Sequence, residues 1–366
     1  MPQTVIHTFN PKPEQRILVT SDVHGYGHWL QALLVQSKFS LDDILVIIGD
    51  LIEKGPDSLG TLRQVVQLEQ QSNVYVTMGN VDAGRLQMLD GNPAELLQYT
   101  DFMRRHWGGC LFDQMAREIG VPLETSEDAR RFCKEVNRYF DQELSFLRSR
   151  PTILETPDYI FVHSGIPHER LWELKETVAW PYLKTDLFMC QEYCFDRWVI
   201  VGDMPSTLYN MCRHDCNPII DHQRHKMSID GGCGLKVYGQ LNMLCIQKGG
   251  FDFQYYDNLP KAVIQTPQQP SADSVQVTYL ERKVALIQKG PSQSLVRHVA
   301  TGRELWVRNS WLRYRDGQWS VKDDYTDYKI GVQPGDVVSV VLQQDGDWLV
   351  KKDGIAGWYT GGLKPV

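Results

Sequence analysis

Side chains that can bind a divalent cation occur in five short groups within the first 203 residues. They offer carboxylate, amide or imidazole ligands, and they are Asp22, His24, Asp50, Asn80, His163 and Asp203. Four of the groups directly follow apolar runs, at residues 17–20, 44–48, 74–78 and 159–162. Because side chains at the ends of buried strands can point into one shared space, we expect these residues to converge. Mixed oxygen and nitrogen ligands suit a pair of divalent ions that activate water against a phosphate.

Each group also has an ordinary structural interpretation when it is taken alone. Asp22 or His24 could cap a helix, and Gly49-Asp50 or Gly79-Asn80 could form turns. His163 could be a buried ring with a hydrogen-bonded partner. We favour the metal site because all five groups occur together in one chain, and each lies close to the end of a predicted strand.

The elements that position these residues are predicted from the apolar pattern. Short apolar runs alternate with helix-like stretches between residues 16 and 78, and the helical stretches are 25–37 and 58–71. This alternation indicates an α/β fold with a largely parallel sheet covered by helices. Residues 84–150 are rich in Arg, Glu, Gln, Leu and Phe, and their apolar residues recur at helical spacing, which predicts a helical insertion. The insertion is interpreted either as a cap beside the site or as plain packing on the sheet edge.

The ordered motifs resemble those of the calcineurin-like metallophosphoesterases. Five motifs are similar to those of the phosphoprotein phosphatase branch of this family. They are Asp22-Val-His-Gly, Gly49-Asp50 followed by Pro56-Asp57-Ser58, Gly79-Asn80, His163-Ser-Gly and Gly202-Asp203-Met-Pro. The resemblance extends to the bacterial members of that branch and their diadenosine-tetraphosphatase relatives, and it spans residues 16 to about 250. It implies a β-sandwich flanked by helices.

The resemblance also implies a ligand set for two divalent ions. Asp22, His24 and Asp50 would hold the first ion. The second would be held by Asp50, Asn80, His163 and Asp203. Mn²⁺ is our first expectation, with Fe or Zn²⁺ as alternatives. A hydroxide held by the metals would then attack phosphorus, as in serine/threonine phosphatases.

The chain departs from the branch at three positions. Lys54 stands where an Arg commonly binds phosphate, which keeps the charge but loses the planar two-point contact. Val81 replaces the His that protonates the leaving oxygen, and a valine cannot act as a general acid. Asp203 replaces a His ligand, which makes the second metal position one charge more negative.

Other residues are candidates to take over these roles. Asp82 directly follows Val81 and is a candidate for the missing catalytic acid. Lys54 and Arg197 are candidate catalytic groups that orient the phosphate. Lys54, Arg85 and Arg197 form the candidate substrate-binding set.

Three functions are consistent with this sequence. The first is a dinuclear-metal-dependent phosphoesterase that hydrolyses phosphate esters. The second is a catalytically degenerate binding or scaffold protein, and the third is a metal-dependent phosphodiesterase or nucleotide hydrolase. The number of bound ions and the hydrolysis of mono- against diesters distinguish them.

The predicted domains are a metallophosphoesterase domain at 1–258, a linker at 259–274 and a β-rich domain at 275–366. Pro and Gln enrichment indicates the linker. Residues 334–359 resemble an SH3 barrel of bacterial type, in which Trp348 matches an aromatic residue of peptide-binding grooves. The resemblance implies a protein or peptide partner for this C-terminal SH3-like domain.

The overall composition limits partners and location. The 366 residues carry a net charge of −7 without a basic block, so we do not expect nucleic-acid binding. No apolar run approaches the roughly 20 residues of a membrane span, and the polar start of the chain favours a cytoplasmic location. Four cysteines with regular spacing are interpreted as ordinary thiols, with a zinc site as the alternative: Cys190, Cys194, Cys212 and Cys216.

Overall fold

The computed structural model describes three stretches of the chain, residues 3–71, 73–171 and 178–366. The chain divides into two compact units. The first comprises Met1–Pro205 and Pro218–Asp257, and the second comprises Ser206–Asn217 and Asn258–Val366. Within the described stretches, no helix is long and apolar enough to cross a membrane.

The described residues of the first unit form two β-sheets. One sheet has the order β1-β5-β6-β7-β10-β9, formed by Ile6–Thr8, Ile153–Glu155, Tyr159–Val162, Trp198–Val201, Lys226–Ser228 and Ile219–Asp221. The other has the order β12-β11-β2-β3-β4, formed by Gly250–Tyr256, Leu241–Gln247, Ile17–Ser21, Ile44–Ile48 and Val74–Thr77. Within these sheets β2, β3 and β4 run parallel, as do β6, β7 and β10.

The two sheets pack face to face around an apolar core. Alternate residues of the central strands meet there, including Val19, Val46, Phe161, Ile200 and Leu244, which are all buried. The strands β2 and β3 are buried on both faces, which explains why they read as continuous apolar runs. This arrangement confirms the predicted α/β fold with a β-sandwich.

Helices cover the outer face of the second sheet. They are α1 (Gly27–Gln36), α2 (Ser58–Glu69), α3 (Asn80–Leu89), α4 (Pro93–Trp107), α5 (Leu111–Glu118), α6 (Ser126–Tyr139) and α7 (Asp141–Arg148), and α8 (Trp180–Leu183) follows later. Side chains from α1 to α7 form one continuous core with β2, β3 and β4. Asp57 caps α2 and Thr125 caps α6 through side-chain oxygens, as expected at helix starts. The predicted helical stretches are therefore confirmed, and the insertion consists of α3 to α7.

The second unit is built from strands and short 3₁₀ turns. One sheet has the order β24-β13-β21-β22-β23-β8, formed by Leu363–Pro365, Lys261–Ile264, Val337–Gln344, Asp347–Lys352, Ile355–Tyr359 and His214–Asp215. A five-stranded sheet has the order β17-β16-β15-β19-β18, formed by Glu304–Arg308, Gln293–His298, Lys283–Gln288, Gln318–Val321 and Leu312–Arg315. The strands β14 (Gln276–Val277) and β20 (Tyr325–Thr326) form a separate pair. The prediction of a C-terminal all-β region is consistent with this architecture.

The predicted linker at 259–274 contains a strand. Lys261–Ile264 pairs with β21 on one side and with β24 on the other, and Ala262 and Ile264 point into the core. Pro260 and Pro267 flank this strand without interrupting its pairing. The exact domain boundaries stay a prediction.

Candidate metal centre

The predicted ligands lie at the carboxyl ends of five strands, which come from both sheets. Asp22 follows β2, Asp50 follows β3 and Asn80 begins the helix after β4. From the other sheet, His163 follows β6 and Asp203 follows β7. Because these strands are parallel within each sheet, their carboxyl ends share one edge of the sandwich.

The backbone of the site adopts unusual conformations. Asp22, His24, Asp50 and Asp203 have positive φ angles of 55°, 48°, 50° and 62°. Left-handed backbone is uncommon for residues other than Gly, although Asp and His tolerate it better than most. Hydrogen bonds from the N–H of Asp22 to the Gly49 carbonyl (3.2 Å) and from the N–H of His24 to the Asp50 carbonyl (2.9 Å) hold the loops in place. Strain of this kind is typical of functional sites.

The first group of ligands is Asp22, His24 and Asp50. One ligand atom from each lies within 4.8 Å of the others, and all three residues are buried. His24 Nε2 is 3.9 Å from Asp22 Oδ1 and 3.7 Å from Asp50 Oδ2. The other ring nitrogen, Nδ1, is 3.2 Å from the Ile52 carbonyl, which accepts its hydrogen. This bond fixes the tautomer that leaves a lone pair on Nε2, the usual arrangement of a metal-binding histidine.

The second group is centred on His163. Its Nε2 atom is 3.0 Å from Asn80 Oδ1, 3.4 Å from Asp50 Oδ1 and 3.7 Å from Asp203 Oδ1. Nδ1 of the same ring lies 3.3 Å from the Ile48 carbonyl, so it also donates to backbone. Asp50 faces both groups, with Oδ2 toward His24 and Oδ1 toward His163. The carboxylate of Asp50 is therefore placed to bridge two ions.

The burial and the shifted pKa values of the clustered side chains favour the binding of cations. Burial, together with Asp230 and Asp50 nearby, raises the pKa of Asp22 well above its usual range. Asp22 Oδ1 accepts no hydrogen bond within the described part of the chain, although it is fully buried. Burial and then the nearby ammonium of Lys54 lower the pKa of His24 to about 3, so this ring is neutral and able to bind a metal. A buried carboxylate oxygen without a hydrogen-bond partner, beside the neutral imidazole of His24, fits a site for divalent ions.

Two glycines allow the loops of the site to approach one another. A Cβ atom on Gly79 would lie 2.1 Å from the Asp50 nitrogen and 2.2 Å from Asp50 Oδ1. A Cβ atom on Gly202 would lie 2.2 Å from Asp22 Oδ2. All three distances are far below van der Waals contact, so any side chain at either position would displace a predicted ligand.

Lys54 is the only candidate substrate-binding residue whose charged group directly contacts a predicted ligand. Its Nζ atom lies 3.1 Å from His24 Nε2, and the residue is half-buried. A positive charge at the edge of the ligand cluster is well placed to meet a phosphate oxygen.

Arg85, in helix α3, contacts Glu53 in the loop that follows β3. Its Nε atom is 3.3 Å from Glu53 Oε1, and its guanidinium carbon lies 3.9 Å from the centre of the Tyr99 ring. Only 16% of the Arg85 side chain is exposed. The structure therefore places Arg85 as the partner of a buried carboxylate directly behind Lys54.

The structure corrects the interpretation of Asp82. Its two oxygens accept hydrogen bonds from the N–H groups of Leu51 (3.1 Å) and Gly79 (3.2 Å), and the residue is 1% exposed. Burial and the neighbouring Asp50 raise its pKa to about 7. Asp82 thus caps α3 and holds two ligand loops together, and its carboxyl group is buried and engaged with backbone N–H groups. We do not retain it as the catalytic acid.

Arg197 is also placed away from the cluster. It precedes β7, whereas Asp203 follows the same strand, so the whole strand, about 13 Å long, lies between them. Its guanidinium contacts Glu155 Oε1 (2.6 Å) and the Thr156 carbonyl (3.1 Å). We therefore do not retain Arg197 as a catalytic or substrate-binding residue.

Sequence reasoning missed two residues of the cluster. Asp230 follows β10, is 1% exposed, and has a pKa raised to about 6 mainly by burial. Asp230 lies just after a strand, as the other carboxylates do, so the same reasoning from strand ends would have identified it. The Nζ atom of Lys184 lies 3.1 Å from both carboxylate oxygens of Asp203, and no local sequence pattern predicts that contact.

The regularly spaced cysteines are not part of a metal cluster in the described residues. All eight cysteines are free thiols. The one group of three or more His, Cys, Asp and Glu residues with metal-binding geometry in those stretches is Asp22, His24 and Asp50. Cys190 and Cys194 belong to the first unit, whereas Cys212 and Cys216 belong to the second.

The fold and the ligand arrangement define a metal-dependent phosphoesterase. Residues 15–201, just over half of the 366, match the profile of the calcineurin-like phosphoesterase family. The chain belongs to this family, whose members are hydrolases that use divalent metal ions. The prediction of a metallophosphoesterase is thereby confirmed at the level of the family.

Several proteins with sequences similar to this chain have names that are more specific than the family description. The chain is 30% identical over 187 residues to the symmetrical bis(5'-nucleosyl)-tetraphosphatase of Aeromonas salmonicida, covering 50% of this chain and 56% of that protein. It is 27% identical over 238 residues to the protein of the same name from Pectobacterium atrosepticum, covering 63% and 70%. The chain spans about half the length of the first relatives it matches. Among solved structures, a serine/threonine phosphatase from Saccharomyces cerevisiae matches with a TM-score of 0.42 and 12% identity, covering 70% of this chain and 84% of that one.

Proposed function

We propose that the first unit is a dinuclear-metal-dependent hydrolase that cleaves phosphoanhydride bonds in nucleotide polyphosphates. The observation that carries this proposal is the position of Asp50 between two ligand groups. Asp22, His24 and Asp50 would hold one ion. The second would be held by Asp50 together with Asn80, His163 and Asp203.

Two divalent ions at these positions would lower the pKa of a water molecule and neutralise charge on the phosphate. The protein supplies the orientation of the ligands. Ile52 and Ile48 accept the Nδ1 hydrogens of His24 and His163, which directs both Nε2 atoms inward. We propose Mn²⁺ as the metal, with Fe or Zn²⁺ as alternatives, because carboxylates outnumber imidazoles in the ligand set.

Lys54 is the proposed phosphate-binding residue. Its ammonium group already lies beside His24 Nε2, and its half-buried position lets it contact an incoming phosphate. A lysine binds phosphate as a point charge without the fixed geometry of an arginine. It therefore favours a substrate with several adjacent phosphates, since any of their oxygens can serve as the partner.

Val81 supports the choice of an anhydride over an alkyl ester. An alkoxide leaving group needs a proton donor, whereas a phosphate leaving group departs as a stable anion. The side chain of Val81 has no proton to donate, and the carboxyl group of Asp82 is engaged with backbone N–H groups. General acid catalysis typically contributes about 10²- to 10⁴-fold, so its loss penalises alkyl monoesters far more than anhydrides. The names of the curated relatives agree with this choice.

The test is metal-dependent turnover on three substrates. Purified protein with Mn²⁺ should hydrolyse diadenosine tetraphosphate and a reactive aryl phosphate, and it should act poorly on a phosphoserine peptide. Asp50→Asn should abolish turnover because it weakens both ligand groups. Asp42→Asn, at an exposed aspartate outside the cluster, serves as the matched control and should leave turnover unchanged. Absence of turnover on all three substrates with every divalent metal would favour the scaffold function instead.

We also propose that the C-terminal part of the second unit is an SH3-like module. Three consecutive antiparallel strands, β21, β22 and β23, support this proposal. Trp348 is half-buried against the core of that sheet, so only part of its ring is available to a peptide. Titration of the protein with proline-rich peptides, followed by Trp fluorescence, tests the module. Absence of a fluorescence change would argue against peptide binding.

A further inference from the structure

Lys184 forms an ion pair with a predicted metal ligand. Its Nζ atom lies 3.1 Å from Oδ1 and 3.1 Å from Oδ2 of Asp203. The Asp203 side chain is only 4% exposed, whereas that of Lys184 is 37% exposed and also contacts Asp186 at 3.0 Å. The ammonium group therefore lies at the rim of the ligand cluster, between a buried carboxylate and solvent.

The backbone around Lys184 is fixed by Ser164, the residue after His163. The Ser164 hydroxyl accepts the N–H of Thr185 (2.5 Å) and is 2.6 Å from Asp203 Oδ2, to which it donates. The Ser164 N–H donates to the Tyr182 carbonyl at 3.0 Å. Because the residues on both sides of position 184 are tied to Ser164, Lys184 is held where it reaches Asp203.

These contacts give the two oxygens of Asp203 different surroundings. Oδ2 is bonded to both Ser164 and Lys184. Oδ1 faces the second ligand group, 3.7 Å from His163 Nε2, and has Lys184 as its other neighbour. Oδ1 is therefore the oxygen directed at the second metal position.

The charge of the cluster gives this ion pair a consequence. Asp22, Asp50, Asp203 and Asp230 are four buried carboxyl groups in one region. An ammonium bound to one carboxylate cancels its charge and repels a divalent ion that approaches the same group. The pair would thus offer the metal an oxygen ligand without the full attraction of a bare carboxylate.

We propose that Lys184 is a positioning and charge-balancing residue, which orients Asp203 and weakens divalent-ion binding at the second metal position. This inference rests on the proposed function only for the existence of that second position. A weaker second ion can exchange during turnover, whereas a bare cluster of carboxylates would hold it tightly.

The test is a Mn²⁺ titration of the full chain by isothermal titration calorimetry. Lys184→Met removes the charge but keeps much of the volume of the side chain, and it should bind the second ion about tenfold more tightly than wild type. This figure follows from removing one positive charge close to a dication at a partly solvated position. Lys184→Arg keeps the charge and should stay near wild type. Lys248→Met is the matched control, because it removes an exposed lysine paired with Glu14 outside the cluster.

The outcomes separate this inference from the proposed function. Tighter binding of the second ion by Lys184→Met than by the wild type supports the inference. Binding of two ions by Lys184→Met and of one ion by the wild type supports it as well. If Lys184→Met binds the second ion with unchanged or lower affinity, Lys184 does not weaken the site and the inference is overturned. Neither result depends on turnover, so a protein that hydrolyses nothing can still confirm or refute the role of Lys184.

Discussion

Replacing Glu53 by glutamine should change the pH dependence of stability. Glu53 is 1% exposed, and its Oε2 atom accepts the N–H of Leu111 at 3.2 Å while Oε1 lies 3.3 Å from Arg85 Nε. Burial raises its pKa from 4.5 to about 7, against the opposing effect of Arg85. At a pH between these two values, Glu53 is protonated in the folded chain and ionised in the unfolded chain. Folding stability therefore falls as pH rises through this window.

The size of the effect follows from the same two pKa values. Each pKa unit corresponds to about 1.4 kcal/mol, so the full window contributes about 3 kcal/mol, of which about 2 kcal/mol falls between pH 5 and 7. Glutamine has nearly the same shape and does not ionise. Relative to Glu53→Gln, the wild type should lose about 2 kcal/mol of unfolding free energy between these pH values.

Urea unfolding followed by circular dichroism at pH 5 and pH 7, with chelator present, measures this difference. Glu118→Gln provides a matched control, because Glu118 is exposed and Arg63 holds its pKa below the usual range. The control should lose stability between pH 5 and 7 much as the wild type does. If the wild type and Glu53→Gln lost equal stability over this range, the burial argument for Glu53 would be wrong.

Two further substitutions test the chemistry and the geometry of the site. Val81→His restores a proton donor beside Asp50, so it should raise kcat/KM for an alkyl monoester about tenfold or more with little change for an anhydride. An equal change on both substrates would contradict the leaving-group argument. Gly79→Ala places a Cβ atom 2.1 Å from the Asp50 nitrogen, so calorimetry should show Mn²⁺ affinity reduced at least about tenfold. Retention of normal affinity would show that the loops move apart without harm.

The convergence of the predicted ligands could be inferred from sequence, because each of them follows a strand that the local apolar pattern reveals. The runs before Asp50 and His163 are apolar throughout, whereas the run before Asp22 ends in Thr20 and Ser21. All three strands are buried on both faces or nearly so. Parallel strands end at one edge, so strand ends were sufficient to predict convergence. Asp230 follows the end of β10 in the same way.

The supporting contacts could not be predicted in this way, because they depend on tertiary packing. Asp82 was a candidate acid on account of its neighbour Val81, yet helix geometry turns its carboxylate toward the backbone of two loops. Arg197 lies six residues before Asp203 in sequence but at the opposite end of β7. Lys184 reaches Asp203 from a backbone whose neighbouring residues Tyr182 and Thr185 are hydrogen-bonded to Ser164.

A crystal of the protein grown with Mn²⁺, measured at the manganese absorption edge, tests the central claim most directly. The account predicts two anomalous peaks in contact with Asp50, one beside His24 and the other beside His163. Asp203 should present Oδ1 to the second peak. Anomalous density absent from Asp50, or present only outside this cluster, would contradict the assignment of a dinuclear metal centre.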